Sequence, residues 1–67
     1  MYLVKFDFRN EETRKEALLA IDGVKLQKSN LFADGYFVTF PGNKQEAVEY
    51  VLNKAKAEDE YCEWTVI

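Results

Sequence analysis

Apolar and polar residues alternate over residues 2–8, with Tyr2, Val4, Phe6 and Phe8 on one side and Leu3, Lys5 and Asp7 on the other. A period of two with one apolar face predicts a half-buried strand. The run Gly35-Tyr36-Phe37-Val38-Thr39-Phe40 holds three aromatics, a valine and a threonine, and Pro41-Gly42 ends it. It reads as the central strand around which the others are arranged. Residues 24–32 predict a less regular strand in which Val24, Leu26 and Phe32 share one parity. A last strand is expected over 61–67, with Cys62, Trp64 and Val66 toward the core and Tyr61, Glu63, Thr65 and Ile67 away from it.

Between these runs the period changes to that of a helix. Asn10 offers an N-cap, and Glu11 and Glu12 sit where the helix dipole favours acids. Ala17, Leu18 and Ile21 make one stripe, extended by the stem of Arg14, up to Asp22, with Gly23 as the stop. Leu19 lies about 100° from Leu18 by helical geometry and falls off that stripe. In the second helix Asn43 is the expected cap, with Glu46 at the capping-box spacing. Ala47, Val48, Val51, Leu52 and Ala55 form its buried stripe, Lys54 and Lys56 stand near its C-terminal end, and Glu58-Asp59-Glu60 closes it.

The hairpin before the central strand admits two registers. A type I′ turn at Asp34-Gly35 would point Val24 and Leu26 away from the core. A type I turn at Ala33-Asp34, with Gly35 in a left-handed bulge, pairs Phe32 with Tyr36 and keeps Val24, Leu26, Tyr36, Val38 and Phe40 on one face. The second geometry is expected, and it makes Leu31 and Phe37 cross-strand neighbours on the opposite face. The order β-α-β-β-α-β with right-handed crossovers predicts one α+β domain over residues 1–67. It is a ferredoxin-like four-stranded antiparallel sheet of order 4-1-3-2 with both helices on one face.

Composition narrows the class. Sixty-seven residues hold one domain, with a thin stability margin offset by ten aromatics (five Phe, four Tyr, one Trp). Nine basic against twelve acidic residues give a formal charge of -3, which argues against nucleic acid or an anionic membrane as the main partner. A single cysteine, Cys62, excludes an internal disulfide and fits a reducing cytoplasm. Residues 1–5 lack the basic-then-apolar pattern of a secretion signal, and no apolar run approaches a membrane span, so a cytoplasmic protein is expected.

Catalytic hardware is sparse. The chain has no histidine, the commonest general base and metal ligand. Cys62 is expected in the core as an inert thiol. Each of the three glycines has a turn or cap duty, and Glu58, Asp59, Glu60 and Glu63 lack the spacing of a calcium loop. No enzyme, metal site or cofactor is therefore expected.

The stretch Gly35-Tyr36-Phe37-Val38-Thr39-Phe40 is similar to part of the first ribonucleoprotein motif of RNA-recognition (RRM) domains. Phe37, Val38, Thr39 and Phe40 match the last four positions of that motif, and the expected topology is the same. The resemblance implies binding of a single nucleic-acid strand on the open face, with Phe37 and Tyr61 as stacking platforms. The chain departs from the pattern by one missing residue between Tyr36 and Phe37, by Asp34 where a base stands, and by Leu3, Lys5 and Asp7 in place of a first-strand aromatic.

The uncovered sheet face carries Leu3, Leu31, Phe37, Tyr61 and Ile67 as apolar groups, and a contiguous patch of that kind marks an interface. The expected function is protein–protein association through this face, by a homodimer of stacked sheets or with a foreign protein. Leu3, Leu31, Phe37 and Tyr61 are the anchors, and Lys5, Thr39 and Glu63 set polar register. The size suits an accessory or inhibitor protein of the kind that phages and mobile elements encode. An acidic mimic of nucleic acid, acting through Glu58, Asp59, Glu60 and Glu63, is a further alternative.

Overall fold

The structure, a computed structural model, describes residues 1–30, 35–59 and 61–67. The chain runs β1 (Tyr2–Lys5), α1 (Glu11–Leu19), β2 (Lys25–Lys28), β3 (Gly35–Thr39), α2 (Gln45–Glu58) and β4 (Glu63–Val66), with single 3-10 turns ahead of each helix. The strands form one antiparallel sheet of order β2-β3-β1-β4, which is the expected 4-1-3-2 read from the other edge. No helix of the described residues is long and apolar enough to cross a membrane.

Both helices pack on one sheet face. Leu18 of α1 and Val48, Leu52 and Ala55 of α2 meet Val4 and Val38 of the two central strands, and all six are fully buried. Each Leu or Val buried in this way contributes roughly 1.5–3 kcal/mol. The ring of Tyr2 lies 5.0 Å from those of Phe40 and Trp64 and closes one end of the core, while Phe6 and Tyr36, 5.8 Å apart, close the other. Leu19 is exposed, as the helical geometry requires. Cys62 is a free, buried thiol whose pKa burial pushes up.

Several local expectations are corrected. β1 stops at Lys5, because Asp7 turns inward and accepts the Arg9 N–H at 3.0 Å, starting a 3-10 turn over Phe8–Asn10. Phe8, expected in the core, is carried out to 88% exposure, and Asp7, expected on the open face, is buried. Asn10 occupies the N-cap of α1 without capping it; its side chain reaches α2 instead. Asn43 sits inside the turn Gly42–Lys44, α2 begins at Gln45, and Ala47 is exposed. Val66 keeps its expected parity but lies at the sheet edge, 64% exposed.

The β2–β3 register is also different. Lys28 pairs with Tyr36, Gln27 with Phe37 and Leu26 with Val38. The expected Phe32–Tyr36 pairing is therefore displaced by four residues along β2, an even number, so parity survives: Val24 and Leu26 still face the core. The Ser29 N–H donates to the Gly35 carbonyl at 2.8 Å, closing the ladder there. Leu31, Phe32 and the turn at Ala33-Asp34 lie outside the described residues, and the partner of Phe37 on β2 is Gln27, not Leu31.

The first helix, expected to run to Asp22 with Gly23 as its stop, ends at Leu19 with Ala20 as its C-cap. Gly23 lies instead in the turn before β2, with φ +85°, the conformation a glycine tolerates best. A Cβ there would also come within 2.6 Å of the Pro41 ring, so the turn before β2 and the exit of β3 touch through a position with no side chain.

Candidate interaction surface

On the face away from the helices, sheet register sets the residues in rows. The central row runs Gln27, Phe37, Leu3 and Thr65 across the strands. The row on one side holds Gly35, Lys5 and Glu63, and the row on the other holds Lys25 and Thr39. Lys5 and Glu63 thus stand opposite one another with complementary charge. Gly35, across from Lys5 on β3, brings no side chain, and a shallow depression of about 190 Å³ opens there, lined by Leu3, Lys5, Glu63 and Thr65.

The anchors differ from one another in access. Phe37 is half-buried in the middle of the face. Leu3, between Phe37 and Thr65, is only 8% exposed, so it supports the surface more than it offers a contact. Lys5, Thr39 and Glu63 are exposed on the face as expected. Tyr61 is exposed too, but it precedes β4 and sits beyond the end of the sheet. Leu31 lies outside the described residues.

Tyr61 belongs to a second concavity, of about 540 Å³, lined by Lys5, Phe6, Asp7, Phe8, Arg9, Glu11 and Tyr61. Lys5 borders both hollows, so the open face continues over the sheet end to an exposed aromatic pair, Phe8 and Tyr61. Sequence reasoning missed Phe8, because its alternation continues that of β1. The signal was Asp7, a turn-forming residue two positions before a backbone N–H it could accept.

The acidic segment is not a uniform anionic patch. Asp59 is buried and accepts from Arg14 Nε at 2.8 Å and from Asn10 Nδ2 at 2.9 Å, while Arg14 Nη2 donates to Glu58 at 2.7 Å. These bonds raise the Arg14 pKa, Asp59 contributing most, and join α1 to the end of α2. Glu60 lies outside the described residues. Among the described residues no group of three or more potential ligands is placed to hold a metal ion.

Two further pairs stiffen the helix side. The Tyr2 hydroxyl donates to the Glu49 carboxylate, which raises the phenol's pKa and lowers that of Glu49. Lys15 lies 4.9 Å over the Tyr36 ring and 3.3 Å from Glu12, and the bond to Glu12 chiefly raises its pKa.

Compared with known protein families, with curated proteins and with solved structures, the chain matches none of them.

Proposed function

We propose that this protein is a non-enzymatic protein-interaction module that engages its partner through the open sheet face and the aromatic rim at its end. The observation that carries the reading is the continuity of the two hollows through Lys5, which joins Leu3, Glu63 and Thr65 to Phe8 and Tyr61, 88% and 59% exposed, with half-buried Phe37 beside Leu3 in the neighbouring strand. Large aromatics held that far into water, beside a mixed-charge rim of Lys5, Arg9, Glu11 and Glu63, have the composition of an interface centre and its polar border. Phe8, Phe37 and Tyr61 are the anchors in this reading, with Leu3 beside Phe37 and Lys5, Thr39 and Glu63 fixing register. An accessory or inhibitor role in the cytoplasm fits a domain of this size.

The test compares partner capture by wild type, Phe8→Ser, Phe37→Asp and Tyr50→Ser, each checked for folding by circular dichroism. Tyr50 is a similarly exposed aromatic on α2, away from the face, and serves as the control. The reading expects the first two variants to lose a bound protein at least tenfold while Tyr50→Ser retains it. Folded Phe8→Ser and Phe37→Asp proteins that bind as wild type does would overturn it. Capture of RNA in place of protein, lost in Phe37→Asp, would turn the surface over to the nucleic-acid alternative.

A further inference from the structure

The two edges of the sheet differ in chemistry. β2 presents Lys25, Gln27 and Lys28, and edge lysines discourage pairing with another strand. The opposite edge, β4, carries one charge at its start, Glu63, and then reads Trp64-Thr65-Val66-Ile67, uncharged and rich in β-branched residues, with Val66 64% and Ile67 53% exposed. Nothing in that stretch resists strand addition.

The ladder fixes which backbone groups point outward there. The Ile67 N–H donates to the Met1 carbonyl at 3.1 Å. Alternation along an antiparallel pair then makes Thr65 with Leu3, and Glu63 with Lys5, the other hydrogen-bonded pairs. Trp64 and Val66 occupy the intervening positions, so their N–H and C=O groups face out of the sheet.

We infer that the protein forms a two-fold dimer by antiparallel pairing of β4 with β4 of a second copy, centred on Thr65. In this register Trp64 exchanges both backbone bonds with Val66 of the second copy, and Val66 does the same with Trp64, so every outward group of the strand is used. On the helix side each indole covers the other copy's exposed Val66. On the open side Thr65 meets Thr65 across the axis. Each Glu63 lies opposite an Ile67, so the two carboxylates sit at opposite ends of the seam, each beside its own Lys5. A register centred on Trp64 would instead need the Cys62 N–H, which is already given to the Asp59 carbonyl at 3.1 Å. A shift of one residue would set outward groups against inward ones. This self-complementarity identifies the occupant as a second copy of the chain. The dimer deepens the proposed function, since it joins two open faces on one side of a single continuous sheet.

Sedimentation of the purified protein across a wide concentration range tests it, with three seam variants and two controls, Lys25→Cys and Phe37→Asp. Val66→Pro deletes an outward donor without touching the ladder to β1, and Val66→Lys places a cation on the seam. Thr65→Cys brings two thiols together across the axis. Wild type is expected to approach twice 7.8 kDa at high concentration. Both Val66 variants should stay monomeric with a wild-type circular dichroism spectrum. Thr65→Cys should become a disulfide-linked dimer with oxidised glutathione, whereas Lys25→Cys on the other edge should not. A wild type that is monomeric throughout overturns the dimer, as does a dimer that survives in Val66→Lys. A dimer lost only in Phe37→Asp overturns it in favour of stacked open faces. Loss of a foreign partner in Phe37→Asp with the dimer intact separates the two surfaces, so the failure of one reading is not the failure of the other.

Discussion

The two faces of the sheet are made by the same strands and separated by one residue of parity, yet they have opposite fates. Val4 and Val38 are fully buried beneath the helices, while Lys5 and Thr39, their neighbours in sequence, stand in water. The helix face concentrates the apolar contacts and the ion pairs that join α1 to α2. The open face holds one half-buried aromatic over one nearly buried leucine, flanked by charges that answer one another. Stability is therefore written chiefly on one parity, and in the proposed reading recognition falls on the other, so substitutions on the two faces should have effects of different kinds.

The largest stability loss is expected on the helix side from Arg14→Ala, which strands the buried Asp59 carboxylate. Removing one partner of such a pair costs about 3–5 kcal/mol, measurable by urea unfolding; a loss under about 1 kcal/mol would mean that the pair behaves as a surface contact. Leu52→Ala, at a fully buried position, should cost about 2–5 kcal/mol in the same assay. Gly23→Ala combines a positive φ with a collision at Pro41 and should cost about 1 kcal/mol or more. An unchanged midpoint there would show that the turn can relax.

A pH dependence sharpens the same contrast. The bond from Tyr2 holds the Glu49 carboxyl below its ordinary value of 4.5. Its contribution is thus fully present above that value and is lost as pH falls through the lower folded-state value. The difference in urea midpoint between wild type and Tyr2→Phe should narrow on acidification from neutral pH, and a constant difference would show that the bond contributes nothing. The smallest effect is expected from Thr39→Lys on the open face, within about 0.5 kcal/mol. A larger loss would mean that this face, too, is part of the core.

The topology was legible because each element carried its own period. Alternation in 2–6 and 35–40, and the Val48, Leu52 and Ala55 stripe, left little choice of layer. Parity survived even where pairing did not, because the error along β2 was an even number of residues. What failed was local competition at element ends. Asp7 bonding the Arg9 N–H ended β1 early and exposed Phe8, and the asparagines expected as caps gave way to 3-10 turns. The tie between Arg14 and Asp59 joins positions far apart in sequence, and no pattern within either helix announces it. Of the candidate surface, Phe37, Lys5, Thr39 and Glu63 were placed correctly on the face, whereas the reach of the hollow to Phe8 depended on a turn only the structure supplies.

β1 divides its backbone between two distant suppliers, with Tyr2 and Val4 paired to β3 and Leu3 and Lys5 bonded to β4. One of the two central strands of the sheet is thus the first segment of the described chain, and one of its partners is the last. Such long-range pairing must close the segment between Lys5 and Glu63 into a loop before it is rewarded, which slows folding relative to a helical domain of equal size. During synthesis β1 would wait for β4, with the apolar edge of β3–β1 open in the interval. A nick between α2 and β4 should therefore be far more damaging before folding than after it, when the ladder from Tyr2 to Lys5 already holds the two ends together.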